Sequence, residues 1–337
     1  MACKRAYYVV IVCLVSQRSA AMRTNATPKL DRITLKQFRA YSTYIRTGTI
    51  KAAASELHIS PPAISQQLSL LEDNVGMTLS TKTSEGVQPS IFGKELLLAS
   101  SRIENVLDMC LHSLEKLGDK SSGRISLGIF NSANYFAPRL IAEFKKYHPH
   151  VDIRIRIDNR YSIFKAFRNY EFDFLVVGRP PTDMDIESQE IGDHPHIIVG
   201  APDHPLINKK NLKLKEIEDE SFLVRDGVSG SRLVMLRLFE EAGISPRIGM
   251  EVGNNESIKQ GVMAGLGVAL ISAHTVAAEI KEGRLKAFDL EGLPVIRKWL
   301  VVRHSDIQLA PAADALYEFF INSGADCFPD FPADLAQ

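Results

Sequence analysis

The chain has 337 residues, and its 40 lysines and arginines are balanced by 40 aspartates and glutamates. Hydrophobic residues make up 45% and charged ones 24%, which excludes a disordered, collagen-like or supercharged chain and leaves room for two or three domains with sizeable cores. Zero net charge does not exclude nucleic acid, because residues 22–90 carry eight basic side chains against five acidic ones.

Cys3, Cys13, Cys110 and Cys327 are scattered with no Cys-x-x-Cys pair, so neither a disulfide framework nor a zinc knuckle is expected and a reducing compartment suits the chain. Lys4 and Arg5 precede an apolar run from Tyr7 to Val15, then Ser19-Ala20-Ala21, which together mimic an export signal. The run is too short to span a bilayer as a helix. The preferred reading makes residues 1–31 an extension with Met22 as the alternative start. The protein is then expected to be cytoplasmic with no membrane partner, because the helical pattern from Leu35 onward belongs in that compartment.

From Leu35 to Leu71 the apolar residues fall at helical spacing in three stripes: Leu35, Phe38, Tyr41, Ile45; Ile50, Ala53, Ala54, Leu57; and Ile64, Leu68, Leu71. Thr47-Gly48-Thr49 breaks the first pair and His58-Ile59 the second, with Thr49 and Ser60 as N-caps and Pro61 at a first helical position. This spacing predicts a helix-turn-helix whose third helix shows Pro62, Ser65, Gln66 and Ser69 on its outer face. Small and amide side chains suit a major groove, where Gln can bond an adenine edge and Pro can pack on a thymine methyl. The plain alternative is a helical hairpin with a solvated face. Residues 78–90 read as a short β-ribbon turning near Gly86, with Lys82 placed for phosphate contact.

Ser90 to about Lys116 is a long helix pattern whose Leu96, Ile103, Leu107, Cys110, Leu114 and Leu117, with Ser100, follow a coiled-coil seam. A polar hinge at 118–124 follows. Beyond it strands and helices alternate, predicting an α/β region with largely parallel sheets. Expected strands are Arg124–Phe130, Val151–Ile157, Phe172–Val177, His196–Ala201, Phe222–Arg225, Gly249–Val252, Val268–Ile271, Leu285–Leu290 and Trp299–Val302. Expected helices are Ala137–Tyr147, Tyr161–Asn169, Ser231–Ala242, Ser257–Ala264 and Pro311–Ile321, with 323–337 a loose tail.

In this region Ser229-Gly-Ser231-Arg232 precedes a predicted helix, where free N–H groups and the helix dipole attract anions. Asn131-Ser132 is expected to open the helix after the first strand in the same way. Arg179, Arg232 and Lys259 add positive charge near element ends, and Asn159 offers an amide. Together they suit a phosphorylated metabolite or a nucleotide cofactor, held as an effector rather than as a resident prosthetic group. Each residue alone is as readily a helix cap or a solvated charge. Catalysis is not expected: Gly227-Val-Ser-Gly-Ser231 is not Gly-x-Ser-x-Gly, and Pro195 in Asp193-His-Pro-His196 marks a turn rather than a metal site.

Gly48-Thr-Ile-Lys-Ala-Ala-Ala-Ser-Glu-Leu-His-Ile-Ser-Pro-Pro-Ala-Ile-Ser-Gln-Gln-Leu-Ser-Leu-Leu-Glu72, with Val75-Gly76 and Leu79 after it, closely resembles the winged helix-turn-helix of LysR-type transcriptional regulators. Pro61 stands where that family usually has Gln. Asn131–Leu140, Gly178–Pro181, Asp193–His196, Ala201–Pro205, Ser229–Arg232, Asn255–Gln260, Met263–Gly267 and Glu291–Pro294 are similar to the regulators of RuBisCO (Calvin-cycle) operons. The resemblance implies an α+β multidomain chain: a winged DNA-binding domain at 32–90, a linker and dimerisation helix with hinge at 91–123, and a periplasmic-binding-protein-like α/β effector domain at 124–322. It also implies two subdomains, 124–199 with 296–321 and 200–295, joined by two crossing strands over a small-molecule cleft. Thr49, Ser60, Pro61, Pro62, Ser65, Gln66, Ser69 and Lys82 would meet a dyad-symmetric operator. Asn131, Ser132, Asn159, Arg179, Ser229, Ser231, Arg232, Asn255 and Lys259 would meet an anionic effector. The expected assembly is a dimer of dimers acting with RNA polymerase to activate carbon-fixation genes. A regulator of another operon, or a periplasmic solute-binding protein, is the alternative.

Overall fold

The computed structural model describes residues 32–83, 86–115, 122–227 and 229–330, and the expectation for residues 1–31 lies outside them. The chain divides into two units, at Ile103/Glu104.

In the first unit, α1 (Leu35–Thr47), α2 (Ile50–Glu56) and α3 (Pro61–Val75) are followed by the antiparallel ribbon β1 (Ser80–Thr83) and β2 (Gly86–Pro89) and the start of α4 (Ile91–Glu115). Each helix begins where a side chain replaces a missing backbone acceptor. Thr34 and Gln37 form a reciprocal capping box on α1, Thr49 accepts from the Ala52 N–H at 3.1 Å, and Ser60 accepts from the Ala63 N–H at 3.4 Å. Gly48 ends α1 at φ 76°, a left-handed conformation that favours glycine. The apolar stripes meet in one core, in which Ala40, Tyr44, Ala53, Ala54, Ile64 and Val87 pack together and Tyr41, Leu71 and Leu79 pack beside them.

The second unit is built on a seven-stranded mixed sheet. β3 (Ser122–Phe130) pairs in parallel with β4 (His150–Asp158) and β5 (Phe174–Val177). Two long strands, β6 (Ile186–Gly200) and β11 (Val295–His304), pair antiparallel with one another over ten positions. β11 also lies antiparallel to β5, and the last residues of β6 pair antiparallel with β9 (Ala269–Ser272) and β10 (Lys286–Ala287). β6 and β11 are therefore the crossing strands, carrying the chain from one subdomain to the other and back. A separate parallel pair joins β7 (Phe222–Val224) to β8 (Ile248–Glu251). The largely parallel expectation is corrected: each subdomain begins with parallel strands, but a chain that leaves and returns must run its two crossings in opposite directions.

α5 (Ala137–Tyr147) and α10 (Pro311–Ser323) place Leu140, Phe144, Leu316 and Phe320 in one core of the first subdomain with Ile125, Phe174 and Trp299. α6 (Arg160–Arg168) supplies Ile163 and Phe167 to a second cluster with Leu175 and Val302. In the second subdomain α7 (Gly230–Glu241) packs Met235 and Phe239 into one core. α8 (Asn255–Met263) and α9 (Ala273–Lys281) pack Ile258, Val262 and Val276 into another.

Several expectations shift. β6 starts at Ile186, ten residues before the predicted His196, so Asp193–His196 lies in a strand and Pro195 is opposite Ile296 in the ladder, not in a turn. Leu285–Leu290 forms a strand only at Lys286–Ala287, while Leu290 makes just an isolated parallel bridge to Leu212. Asn131–Tyr135 is a five-residue 3-10 turn, and the α-helix starts only at Ala137, so Asn131 and Ser132 do not open an α-helix. α9 has no counterpart among the expected helices: Ser272 ends β9 and immediately precedes it, leaving no turn residues to mark the boundary. The tail is not loose before residue 331, since Cys327 is buried and the Phe328 ring lies 4.7 Å from that of Phe136.

Candidate functional site

On α3, Ile64 and Leu71 are fully buried, whereas Pro61, Pro62, Ser65, Gln66 and Ser69 are exposed or half-buried. The Ser65 hydroxyl donates to the Pro61 carbonyl at 3.3 Å, which leaves its oxygen lone pairs outward. Thr49 and Ser60 are exposed while their oxygens cap helices, so each can still donate its hydroxyl proton to a phosphate. Lys82 is exposed on β1 of the wing. The unit thus shows one helix end, small and amide side chains and a ribbon lysine, the parts a major-groove reader with a backbone anchor needs.

In the second unit a cleft of about 790 Å³ opens between the subdomains, along the crossing strands. It is the size of a small-molecule site. Asn131, Ser132, Asn159 and Arg179 line it from the first subdomain, and Ser229, Ser231 and Asn255 from the second. Asn255 is buried; its Nδ2 donates to Ser132 Oγ across the cleft at 3.3 Å, and its Oδ1 accepts from Arg225 Nη1 at 3.4 Å. Ser229 precedes the first turn of α7 without capping it, its hydroxyl instead lying 3.0 Å from that of Ser231. Asn159 is engaged as the N-cap of α6, accepting from the Ser162 N–H at 3.0 Å.

Two expected contacts are corrected. Arg232 is not in the cleft wall: its Nη1 donates to the Arg225 carbonyl at 2.9 Å and pairs with Glu251 at 2.6 Å. Lys259 is likewise outside, buried between Glu256 at 2.9 Å and Glu279 at 3.0 Å. Burial disfavours the Lys259 charge, yet its hydrogen bonds to Glu256 and Glu279 prevail and hold its pKa above the ordinary lysine value. Sequence spacing puts Glu256 one helical turn before Lys259, but Glu279 reaches it only through the fold.

The cleft region also gathers a buried aromatic cluster, in which His194 and His196, marked in the sequence only as a turn and as part of the resemblance, meet Trp299 and His274. His194 stacks on Trp299 at 3.8 Å, His196 Nδ1 lies 3.1 Å from the His194 carbonyl oxygen, and Trp299 Nε1 donates to His274 Nδ1 at 3.1 Å. Burial lowers all three histidines, His196 to about 3 and His274 to about 4, and Arg297 lowers His196 further. They are neutral in the folded protein. Because the unfolded chain binds protons near the ordinary histidine value, their contribution to stability is complete above about pH 6.5 and is lost as pH falls toward the lowered folded values. The melting temperature of the second unit is therefore expected to fall steadily from about pH 7 to about pH 4.5. Scans that show no change across that interval would contradict the buried neutral cluster.

Among the described residues no group of three His, Cys, Asp or Glu side chains could hold a metal ion, and no helix is long and apolar enough to cross a membrane.

Residues 35–94 match the family model described as bacterial regulatory helix-turn-helix protein, lysR family, and residues 118–325 match that described as LysR substrate binding domain. The HTH-type transcriptional regulator CbbR of Xanthobacter flavus is 42% identical over 301 residues, 89% of this chain and 90% of that protein. The RuBisCO operon transcriptional regulator of Allochromatium vinosum is 34% identical, covering 87% of this chain and 97% of its own length. Among solved structures, the regulatory domain of Synechocystis CcmR in complex with 2-PG superposes with a TM-score of 0.57 at 31% identity, over 59% of this chain and 95% of that domain.

Proposed function

The chain belongs to the LysR family of bacterial transcriptional regulators, and we propose from that premise that it activates carbon-fixation genes in response to an anionic metabolite. The observation that carries this reading is a single chain with an exposed Ser65–Gln66 helix face in one unit and a Ser/Asn-lined cleft in the other. The similarity to regulators named for the RuBisCO operon points to the target genes. A solute-binding protein shares the cleft architecture but has no use for residues 35–94, which disfavours that alternative.

In this reading Thr49, Ser60, Pro61, Pro62, Ser65, Gln66, Ser69 and Lys82 face a dyad-symmetric operator. The effector is held by Asn131, Ser132, Asn159, Arg179, Ser229, Ser231 and Asn255, with phosphorylated metabolites and NADPH as candidates. Leu98, Val106, Leu111 and Leu114 are exposed apolar side chains on α4, which suits pairing of two chains through that helix and then of two dimers. The protein acts in the cytoplasm with RNA polymerase and performs no catalysis. A ligand changes transcription only by favouring one closure or assembly state over another, so it must alter the operator complex as well as bind.

Footprinting of the full chain on the region upstream of the RuBisCO genes, with and without a metabolite panel, tests the whole reading. Protection there that shifts with a phosphorylated metabolite or NADPH is expected, and absence of protection refutes it. Gln66→Ala and Ser65→Ala should each cost about 1–3 kcal/mol at the specific site and relax base preference at one position per half-site. Lys82→Ala should instead weaken binding to all sequences and flatten the salt dependence. Gel shifts in which folded Gln66→Ala retains full specificity would sink the docking of α3.

A further inference from the structure

Two elements that begin in the cleft wall end together, outside it. α6 starts there with its cap Asn159 and with Arg160, and β11 starts there with Val295–Leu300. At their other ends the two are locked to one another. His304, the last residue of β11, is 7% exposed, and its ring stacks on that of Phe167 at 3.9 Å. Its Nε2 donates to the Phe167 carbonyl at 2.8 Å, since a carbonyl oxygen can only accept. The same carbonyl accepts from the Tyr170 N–H at 2.8 Å, and the Tyr170 ring lies 4.3 Å from that of His304. Tyr170 Oη donates to Asp306 Oδ2 at 2.9 Å, just beyond the end of β11.

Tyr170 stands at φ 58°, in the left-handed region that favours glycine. A bulky residue keeps that conformation only where its surroundings over-determine it. Here the His304 ring, the Asp306 carboxylate and the backbone bond to Phe167 do so, and the Glu171 N–H closes the turn on the Ala166 carbonyl at 3.1 Å. The turn at 169–171 is therefore a rigid joint rather than a loose connection.

α4 is fastened to this joint. Asn105 Nδ2 donates to the carbonyl of the buried Asn169 at 2.6 Å. α4 is one continuous helix of 25 residues. Its Leu96 and Leu97 pack with Tyr41, Leu71 and Leu79 of the DNA-binding unit, whereas its residues from Glu104 onward belong to the second unit. A displacement of α6 or β11 at the cleft thus reaches a helix that also carries core residues of the recognition unit.

We propose that Asn105 is a positioning residue through which the cleft sets α4, with α6 and β11 as two stiff arms and the 169–171 turn as their joint. Asn105 does not line the cleft and is not among the operator-facing side chains. The proposal rests on the effector reading above and adds the route by which the cleft acts on the operator complex. Coupling is reciprocal: if the cleft biases α4, then operator binding must bias the cleft. Trp299, the only tryptophan of the chain, lies on β11 in the cleft wall and reports this without any ligand.

The test uses the full chain and a duplex that it has selected from a random-sequence pool. Adding the duplex is expected to change the Trp299 emission of the parent. In Asn105→Ala that change should be lost, while affinity for the duplex stays within about twofold because the two sites share no partner. Asn105→Gln, which keeps an amide donor, should recover part of it. Tyr170→Phe, which releases Asp306 but leaves the ring on His304, should weaken the change without abolishing it, and it carries the comparison should Asn105→Ala fail to fold. A bond that merely fastens the helix would lower the melting temperature and leave the emission change intact. That result overturns the proposal, as does a parent whose emission the duplex does not move. If a metabolite shifts the footprints of parent and Asn105→Ala alike, the route falls and the effector reading stands. If the emission change is lost in Asn105→Ala while no metabolite shifts the parent's footprint, the route stands and the effector reading falls.

Discussion

Substituting Gly93 by alanine should destabilise the DNA-binding unit by about 3 kcal/mol or more and abolish operator binding at growth temperature. A methyl at Gly93 would stand 2.0 Å from the Leu79 carbonyl oxygen and 2.0 Å from the Tyr41 hydroxyl. Those two atoms form a buried hydrogen bond, Tyr41 Oη donating to the Leu79 carbonyl at 2.7 Å. Glu72 holds the same corner from α3, its Oε1 accepting from the Leu79 N–H at 2.7 Å. Burial, then the nearby Glu72 charge, pushes Tyr41 up to about 12, so it is a fixed donor at any working pH. The three elements that position the recognition helix meet here with no room for a side chain, and neither clashing atom is the end of a flexible chain. Tyr41 would have to swing out, leaving a cavity and a broken bond, or α4 would have to move off the core. For a unit of this size the expected loss is more than about 10 °C in melting temperature. Differential scanning calorimetry should show the first unit's transition falling while the second stays in place. Tyr41→Phe in the same background should recover part of the loss, since it removes one of the two clashes. A Gly93→Ala protein that melts and shifts DNA like the parent would mean the corner is looser than these distances state.

The DNA-binding unit was legible because each of its signals is local. Helical periodicity, the caps Thr49 and Ser60 and the proline at the start of α3 lie within a few residues of the positions they control, so sequence order and spatial order agree. The second unit was legible in its parallel strands and their helices and obscure at the crossings. The first residues of β6 are mostly polar and exposed, with Ile191 as the only fully buried apolar side chain before His194, and no alternation marks them as a strand. What makes them one is the long ladder with β11, a strand far along the chain. The cleft residues divide in the same way. Ser229 and Ser231 stand out at a helix start and Asn255 through the family resemblance, whereas Arg160, Arg237 and Arg297 carry no local signal and reach the cleft wall only through the fold. Lys259 is the converse case: a cation at a promising helix end whose partner on α9 takes it out of the site.

That partner leads to the second large effect. Lys259→Met should destabilise the second unit by about 3–5 kcal/mol, the range for breaking a buried ion pair by removing one partner. Lys259 and Glu279 are 5% and 6% exposed, and Glu279 Oε2 already has no partner. Arg284, 3.6 Å from Glu279, remains in the variant, but it is half exposed and cannot replace a buried ammonium. The loss would spread to the cleft, because Lys259 ties α8 to α9 and also lies 5.0 Å from the Tyr135 ring, on the same 3-10 turn as Ser132. Asn255, one turn earlier on α8, is thereby held against Ser132. Adding Glu279→Met should restore well over half of the stability, since it removes the charge that Lys259→Met strands. At a temperature where the single variant is still folded, it should lose only part of its effector affinity, because Lys259 does not line the cleft and acts on it only by holding α8 in place. A lysine that touched the ligand would show the opposite pattern, a large loss of affinity with little change in melting temperature. Melting curves and binding isotherms for the single and double variants, measured side by side, separate a positioning ion pair from a binding residue.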